Sequence, residues 1–110
     1  MNWSVLTTEE QLNDLIAISH DRSQLIFKHS TRCSISQVVK TRLERSEVPA
    51  HIDFHYLDLL SHRSLSSQIS DDLNVDHESP QVLLIQNGSC VFNESHLAIQ
   101  MEDFLEKLML

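Results

Sequence analysis

The 110-residue chain carries a formal net charge of −8, and 41% of its residues are hydrophobic. This length suits one domain with a packed core, and the ordinary apolar fraction predicts a globular fold rather than disorder. The acidic balance argues against nucleic acid and against an anionic membrane surface as partners. There is no apolar run of about 20 residues that would span a membrane. The N-terminus lacks the basic and then apolar pattern of a signal peptide, so a cytoplasmic location is expected.

The first quarter of the chain predicts a strand, a helix and a second strand. A short β-prone stretch at residues 3–6 precedes the capping-box pattern Thr7-x-x-Glu10. Apolar residues then recur at helical spacing, which predicts a first helix over about 8–20. The uninterrupted apolar run 25–27 is typical of a strand that is covered on both faces.

A polar elbow follows that strand and leads directly to Cys33. The residues after it are patterned as a helix to about Ser46, so the thiol is predicted in the first helical turn. Unpaired N–H groups and the positive end of the helix dipole meet there, and both favour the nucleophilic thiolate. Ser36 occupies the second position of a redox pair. The motif is therefore Cys-x-x-Ser, with one thiol and no built-in resolving partner.

This second helix is predicted to have one apolar face and several basic residues. The apolar face consists of Ile35, Val38, Val39 and Leu43. Five of the eight basic residues lie near Cys33 in sequence, and they predict a local positive field that favours a thiolate and an anionic ligand: Lys28, Arg32, Lys40, Arg42 and Arg45.

The second half predicts two further crossings and a hairpin. A strand is expected over about 52–60, followed by a helix that Ser61 caps. A polar loop ends at Pro80, and the apolar run 82–85 predicts another buried strand. Asn87-Gly88 is a strong hairpin signal.

The last element is predicted to be a helix that Ser95 caps. Its apolar stripe contains Leu97, Met101, Phe104, Leu105 and Leu108. The whole order is β-α-β-α-β-α-β-β-α. It predicts an α/β fold, with a mixed sheet of about five strands flanked by helices on both faces.

The two cysteines, Cys33 and Cys90, are expected to be free thiols rather than a disulfide. Cys90 is predicted to be a half-buried strand residue, not a resolving thiol. The seven histidines are scattered and there is no Cys-x-x-Cys motif, so neither a metal site nor a bound cofactor is expected.

The order of elements, the cysteine at the start of the second helix and the proline before the fourth strand resemble the thioredoxin fold. The resemblance covers nearly the whole chain and implies one thioredoxin-like domain over residues 1–110. More narrowly, the stretch 27–36 (FKHSTRCSIS) resembles the active site of the YtxJ-like monothiol bacilliredoxin family, whose members carry Thr-Cys-Pro-Ile-Ser or close variants. Ser79-Pro80 and the stretch 82–88 resemble the proline loop and hairpin of that family.

The family resemblance implies removal of bacillithiol from mixed disulfides with protein cysteines. Bacillithiol, or another low-molecular-weight thiol, is then the co-substrate, and S-thiolated proteins are the clients. Cys33 attacks the small-thiol sulfur, and a second small thiol releases it because Ser36 cannot attack sulfur. The protein is expected to be a monomer or weak dimer.

Several neighbours of Cys33 are candidates for assisting roles, each with a simpler alternative. Ser36 either hydrogen-bonds the thiolate or is a plain first-turn serine. Arg32 and Lys28 either favour the thiolate and contact a carboxylate of the small thiol, or are solvated surface charges. His29 either donates a proton to the leaving thiolate or is a strand-end histidine without a catalytic role, and the second interpretation is preferred.

The proline loop supplies the remaining candidate substrate contacts. Pro80 resembles the cis-proline that faces the cysteine in thioredoxin-like folds, although a trans turn proline is the alternative. Ser79 would then offer backbone groups to an extended substrate. Ser34, next to Cys33, is also placed among the substrate-binding residues, and it stands where the family commonly has proline.

Another class of function stays open. The chain is alternatively a non-catalytic thioredoxin-like binding module, or an iron–sulfur cluster carrier like the monothiol glutaredoxins. The Cys-Gly-Phe-Ser motif of those glutaredoxins is absent here, because Ser34-Ile35 stand in place of Gly-Phe. A purely structural protein is a third interpretation.

Overall fold

The structure, a computed structural model, describes residues 1–108. Within this range, nine helices and strands follow one another in the predicted order. The strands are β1 (Ser4–Val5), β2 (Ser23–His29), β3 (Ile52–Asp58), β4 (Gln81–Gln86) and β5 (Ser89–Ser95). The α-helices are α1 (Glu9–Ile18), α2 (Ser34–Arg45), α3 (Arg63–Leu73) and α4 (Met101–Leu108). A single 3-10 turn, His96–Ala98, precedes α4.

The five strands form one mixed sheet in the order β1-β3-β2-β4-β5. β3 pairs in parallel with both β1 and β2, as helical crossovers require. β4 runs antiparallel to β2 and to β5. The predicted mixed sheet with helices on both faces is therefore confirmed, and β2, which leads into Cys33, lies at its centre.

Each face of the sheet buries its own apolar layer. On one face, Leu25 and Phe27 pack against residues from α2 and α4, including Val39, Leu43 and Phe104. On the other, Ile26 packs against α1 and α3. Successive residues of a strand point to opposite faces, so the run 25–27 serves both layers, as its uniform apolarity predicts.

The β4–β5 hairpin has the tight turn that its sequence predicts. Asn87 and Gly88 have φ angles of 53° and 79°, the left-handed pair that a two-residue hairpin turn needs. The turn is anchored to the end of α1, because the Asn87 N–H donates to the Ser19 carbonyl (2.9 Å) and the Gly88 N–H donates to Ser19 Oγ (2.9 Å).

Two helix starts differ from the prediction. The capping box of α1 uses Thr8 and Gln11, one residue later than expected: Thr8 Oγ accepts the Gln11 N–H at 3.2 Å, and Gln11 Oε1 accepts the Thr8 N–H at 3.1 Å. Glutamine serves as well as glutamate in this motif. Likewise, α3 begins at Arg63 with His62 as its N-cap, so Ser61 does not cap it.

The predicted final helix is divided in two. Ser95 opens only the 3-10 turn, Leu97 is 51% exposed, and α4 begins at Met101. Ile99 has an extended backbone and a fully buried side chain, which interrupts the helix. Arg42 then holds this connection by donating to the carbonyl oxygens of Leu97 (2.7 Å) and Ile99 (2.8 Å).

The predicted apolar face of α2 was also wrong in part. Val39 and Leu43 are fully buried, but Ile35 and Val38 are 41% and 52% exposed. The helix instead turns Ser36 inward, which is 0% exposed. Positions 36, 39 and 43 share one helical face, so a buried serine sets the rotation of α2 where an isoleucine was expected.

Within residues 1–108, no helix is long and apolar enough to cross a membrane.

Candidate active site

Cys33 lies between the carboxyl end of β2 and the start of α2, where it is the N-cap residue and half-buried. The elbow before it closes a turn, since the Cys33 N–H donates to the Ser30 carbonyl (3.2 Å). The Cys33 carbonyl accepts the first N–H bonded within the helix, that of Gln37, at 3.1 Å. The N–H groups of residues 34–36 therefore stand at the helix start beside the cysteine, and with the helix dipole they favour negative charge there.

The Cys33 sulfur makes no capping hydrogen bond to the helix. A serine or aspartate in this place normally accepts an N–H of the first turn. Cys33 is half-buried and its sulfur is not engaged as a cap, which leaves the thiol free of that competing interaction.

Pro80 lies on the same edge of the sheet as this elbow. Lys28 pairs with Gln81 across the antiparallel β2–β4 ladder, so Pro80 flanks His29, the last residue of β2. The Ser79–Pro80 peptide bond is cis, Pro80 is buried and Ser79 is half-buried. Cys33 and Pro80, which are 47 positions apart in sequence, thus lie at one edge of the sheet.

Ser36 is the side chain that fixes the elbow. Its Oγ accepts the Ser30 N–H at 3.1 Å and lies 2.5 Å from His29 Nδ1. Ser30 is thus held twice, through its N–H by Ser36 and through its carbonyl by Cys33. Among the hydrogen bonds of residues 1–108 none joins Ser36 to the Cys33 sulfur. Of the two alternatives for Ser36, a bond to the thiolate and a plain first-turn serine, neither describes it fully, because its bonds shape the loop that carries the thiol.

His29 is neutral in this arrangement. Ser36 Oγ accepts the Ser30 N–H and shares a second hydrogen bond with His29 Nδ1, in which the hydroxyl donates when the imidazole proton is on Nε2 and accepts when it is on Nδ1. The ring is 1% exposed and packs against Phe27 and Tyr56, with centroid distances of 5.5 and 5.4 Å. Burial, reinforced by the charge of Lys40, lowers the pKa of His29, which agrees with a neutral ring.

We expect Ser36→Ala to destabilise the fold by about 1–3 kcal/mol, because it leaves the buried Ser30 N–H and His29 Nδ1 without partners. Urea denaturation measures the free energy of unfolding. Ser34→Ala is the matched control: Ser34 is exposed in the same helical turn, and its loss should change stability by no more than about 0.5 kcal/mol. Equal effects of the two substitutions would contradict the role given to Ser36.

Lys28 is not beside Cys33, contrary to the expected basic field. It points to the opposite face of β2 from His29 and is 0% exposed. Its ammonium donates to the Ser66 carbonyl (3.0 Å), Ser70 Oγ (3.0 Å) and His77 Nδ1 (3.3 Å). The alternation of side chains along a strand predicts this face, since Lys28 shares it with Ile26, but residues 66, 70 and 77 carry no local signal that places them there.

The other basic residues near Cys33 in sequence are also mostly engaged. Lys40 pairs with Glu44 at 3.0 Å and lies over the Tyr56 ring, and Arg42 holds the Leu97–Ile99 connection. Arg32, which directly precedes Cys33, is exposed. Lys28, Lys40 and Arg42 therefore have partners elsewhere, and the five cations do not converge on the thiol as predicted.

Cys90 is also half-buried, but its sulfur has a hydrogen-bond partner and a raised pKa. It lies on β5 as a free cysteine, and its Sγ–H donates to the Phe92 carbonyl at 3.3 Å. Burial raises the pKa of the Cys90 thiol, which keeps it protonated and unreactive at neutral pH. Cys33 is also free. In the described range no group of three or more His, Cys, Asp or Glu side chains is placed to hold a metal ion.

Solved structures with the same topology place the chain in the thioredoxin-like class. It is similar to a protein described as a proposed oxidoreductase with a thioredoxin fold, with a TM-score of 0.82 and 28% identity over 94% of this chain and 91% of that one. The thioredoxin of Trypanosoma brucei brucei gives 0.77 and 14% over 98% and 88%. That of Fasciola hepatica gives 0.74 and 19% over 96% of each chain. At such identities the two thioredoxins show the fold alone.

A family match gives a more specific classification than the fold does. Residues 4–104 match the monothiol bacilliredoxin BrxC family, and the chain therefore belongs to it. The resemblance inferred from the Cys-x-x-Ser stretch is thus confirmed. Family and fold together support a thiol oxidoreductase-type function.

Proposed function

We propose that this protein removes bacillithiol, or a similar low-molecular-weight thiol, from mixed disulfides with protein cysteines, and that Cys33 is the nucleophile. The observation that carries the proposal is the half-buried Cys33 at the start of α2, with a buried serine, Ser36, where a second thiol would resolve the intermediate. Membership of the monothiol family supports the same chemistry.

The proposed reaction consists of two successive thiol–disulfide exchanges. The Cys33 thiolate attacks the small-thiol sulfur of the mixed disulfide, a new disulfide joins Cys33 to the small thiol, and the client cysteine leaves as a thiolate that takes a proton from water. A second small thiol, as its thiolate, then attacks the small-thiol sulfur bound to Cys33. This releases Cys33 and leaves the oxidised dimer of the small thiol.

In this proposal, some site residues shape the loop that carries Cys33 and others contact the substrate. Ser36 shapes the elbow rather than attacking sulfur, and Arg32 and Ser34 are the exposed polar side chains next to Cys33. Ser79, at the cis bond, offers backbone groups to the client chain. Both cysteines are free thiols, which suits a reducing cytoplasm. The partners in this proposal are S-thiolated proteins and the small thiol, and the chain acts as a monomer or weak dimer.

The identity of the small thiol is tested by comparing two different low-molecular-weight thiols, bacillithiol and glutathione. A client protein carrying bacillithiol and the same client carrying glutathione are each mixed with the protein and the matching free thiol, and release of the client thiol is followed. We expect faster release from the bacillithiol adduct. Equal rates would retain the exchange chemistry but remove the specificity, and no release from either adduct would reject the proposed function.

A further inference from the structure

A second polar cluster lies across β2 from the cysteine site and is not used by the exchange reaction. It begins at Lys28, whose side chain is fully buried and has no carboxylate partner. The three ion pairs within residues 1–108, the last of them formed only when His96 is protonated, are Arg22–Asp53, Lys40–Glu44 and His96–Glu78. A buried ammonium without a counter-ion is unusual, because burial strongly disfavours an unpaired charge.

Lys28 fixes the protonation of His77. Its three N–H donors are all spent, on the Ser66 carbonyl, Ser70 Oγ and His77 Nδ1. His77 Nδ1 must therefore accept, which leaves its Nε2–H as a donor for something else. Burial, and then the charge of Lys28, lower the pKa of His77, while Glu78 opposes them. A neutral His77 with a free Nε2–H follows from the geometry.

His77 lines a cavity of about 160 Å³ together with Leu59, Arg63, Ser66 and Ser67. No acidic side chain lines it, and Arg63 is in none of the three ion pairs named above. His77 lies between two acids in sequence, Asp76 and Glu78, neither of which lines the cavity, and a Glu78 carboxylate oxygen is 3.5 Å from His96 Nε2. The cavity therefore combines an arginine, a histidine N–H donor and two hydroxyl groups, and it adjoins a buried lysine. This local excess of positive charge contrasts with the net charge of −8 of the whole chain.

We propose that this cavity, lined by Arg63, Ser66, Ser67 and His77 and backed by Lys28, binds a small oxyanion, either a carboxylate or a phosphate. Guanidinium binds both kinds of anion through paired N–H donors, and imidazole N–H and hydroxyl groups complete such a site. The buried charge of Lys28 attracts the anion through His77 without touching it. The volume suits one anionic group of a small molecule. The inference goes beyond the proposed exchange function and does not depend on it.

The test follows the His77 imidazole by NMR in the whole protein at constant ionic strength. Sodium phosphate and sodium succinate are titrated separately, with sodium chloride as the reference. We expect a saturating shift of the His77 ring signals with at least one of the two oxyanions. Saturation by phosphate alone or by succinate alone assigns the site to that class, and saturation by both assigns it to oxyanions generally.

Two arginine variants test whether the anion binds specifically in this cavity. Arg63→Gln should weaken the binding at least about tenfold, the effect typical of removing a charged hydrogen-bond donor. Arg45→Gln removes the same charge from an exposed position on α2 and should leave the affinity within about twofold. Shifts that merely follow chloride, or an Arg63→Gln protein that binds as the wild type does, would overturn the proposal.

Discussion

Replacing Cys33 by serine is expected to reduce client de-thiolation to the rate without protein. A serine hydroxyl stays protonated at neutral pH and cannot displace a thiolate from a disulfide, whereas the thiolate is the reactive species in exchange. The fold should survive, because serine is a better N-cap residue than cysteine. It can accept an N–H of the first turn of α2, which the Cys33 sulfur does not do. Release of the client thiol measures the activity, and urea denaturation measures the stability.

Cys90→Ala is the matched control for the Cys33 variant. Cys90 is half-buried on β5, and its thiol is held protonated, so its loss should leave the rate within about twofold. Each variant then removes one of the two thiols, and only Cys33→Ser is expected to lose activity. Retained turnover in Cys33→Ser, or a matching loss in Cys90→Ala, would reject the assignment of the nucleophile.

Lys28→Met is expected to remove a pH dependence of stability that amounts to about 3 kcal/mol in the wild type. Burial lowers the pKa of Lys28 from 10.5 to about 8, since the ammonium is taken out of water without a carboxylate to balance it. Between these two values the folded protein holds a neutral amine while the unfolded chain holds an ammonium. The unfolded state then binds more protons, and the free energy of unfolding rises with pH.

The wild type should therefore gain stability relative to Lys28→Met as the pH is raised from about 8 to 10.5. Urea denaturation of both proteins at matched pH values measures the difference, and subtraction removes the titration of groups that both share. Lys107→Met, a change at an exposed lysine on α4, should parallel the wild type. Parallel curves for wild type and Lys28→Met would show that the ammonium is not buried as described.

Local sequence patterns are sufficient to predict the order of the helices and strands and the position of the hairpin turn. The apolar runs 25–27 and 82–85 mark the two strands covered on both faces, and Asn87-Gly88 marks the turn that joins β4 to β5. Pattern and structure agree here because alternation and left-handed turn residues are properties of a few neighbouring residues. The cysteine and proline motifs likewise predicted both parts of the candidate site.

The direction of individual side chains near the site was harder to predict. Ser36 and Ile35 are adjacent, and helical periodicity favoured the isoleucine as the buried one. The outcome depends on His29, which offers the serine a buried partner seven residues earlier in the chain. The partners of Lys28 come from α3 and from the loop before Pro80, about 40 to 50 positions later, so only the tertiary structure brings them together.

The destination of the small thiol after one turnover tests the central claim most directly. A stoichiometric amount of bacillithiolated client is mixed with the protein in the absence of free thiol, and peptides are mapped by mass spectrometry. The account predicts a free client cysteine and bacillithiol bound to Cys33, with Cys90 unmodified. Bacillithiol that stays on the client or moves to Cys90, or a disulfide between Cys33 and the client itself, would contradict it.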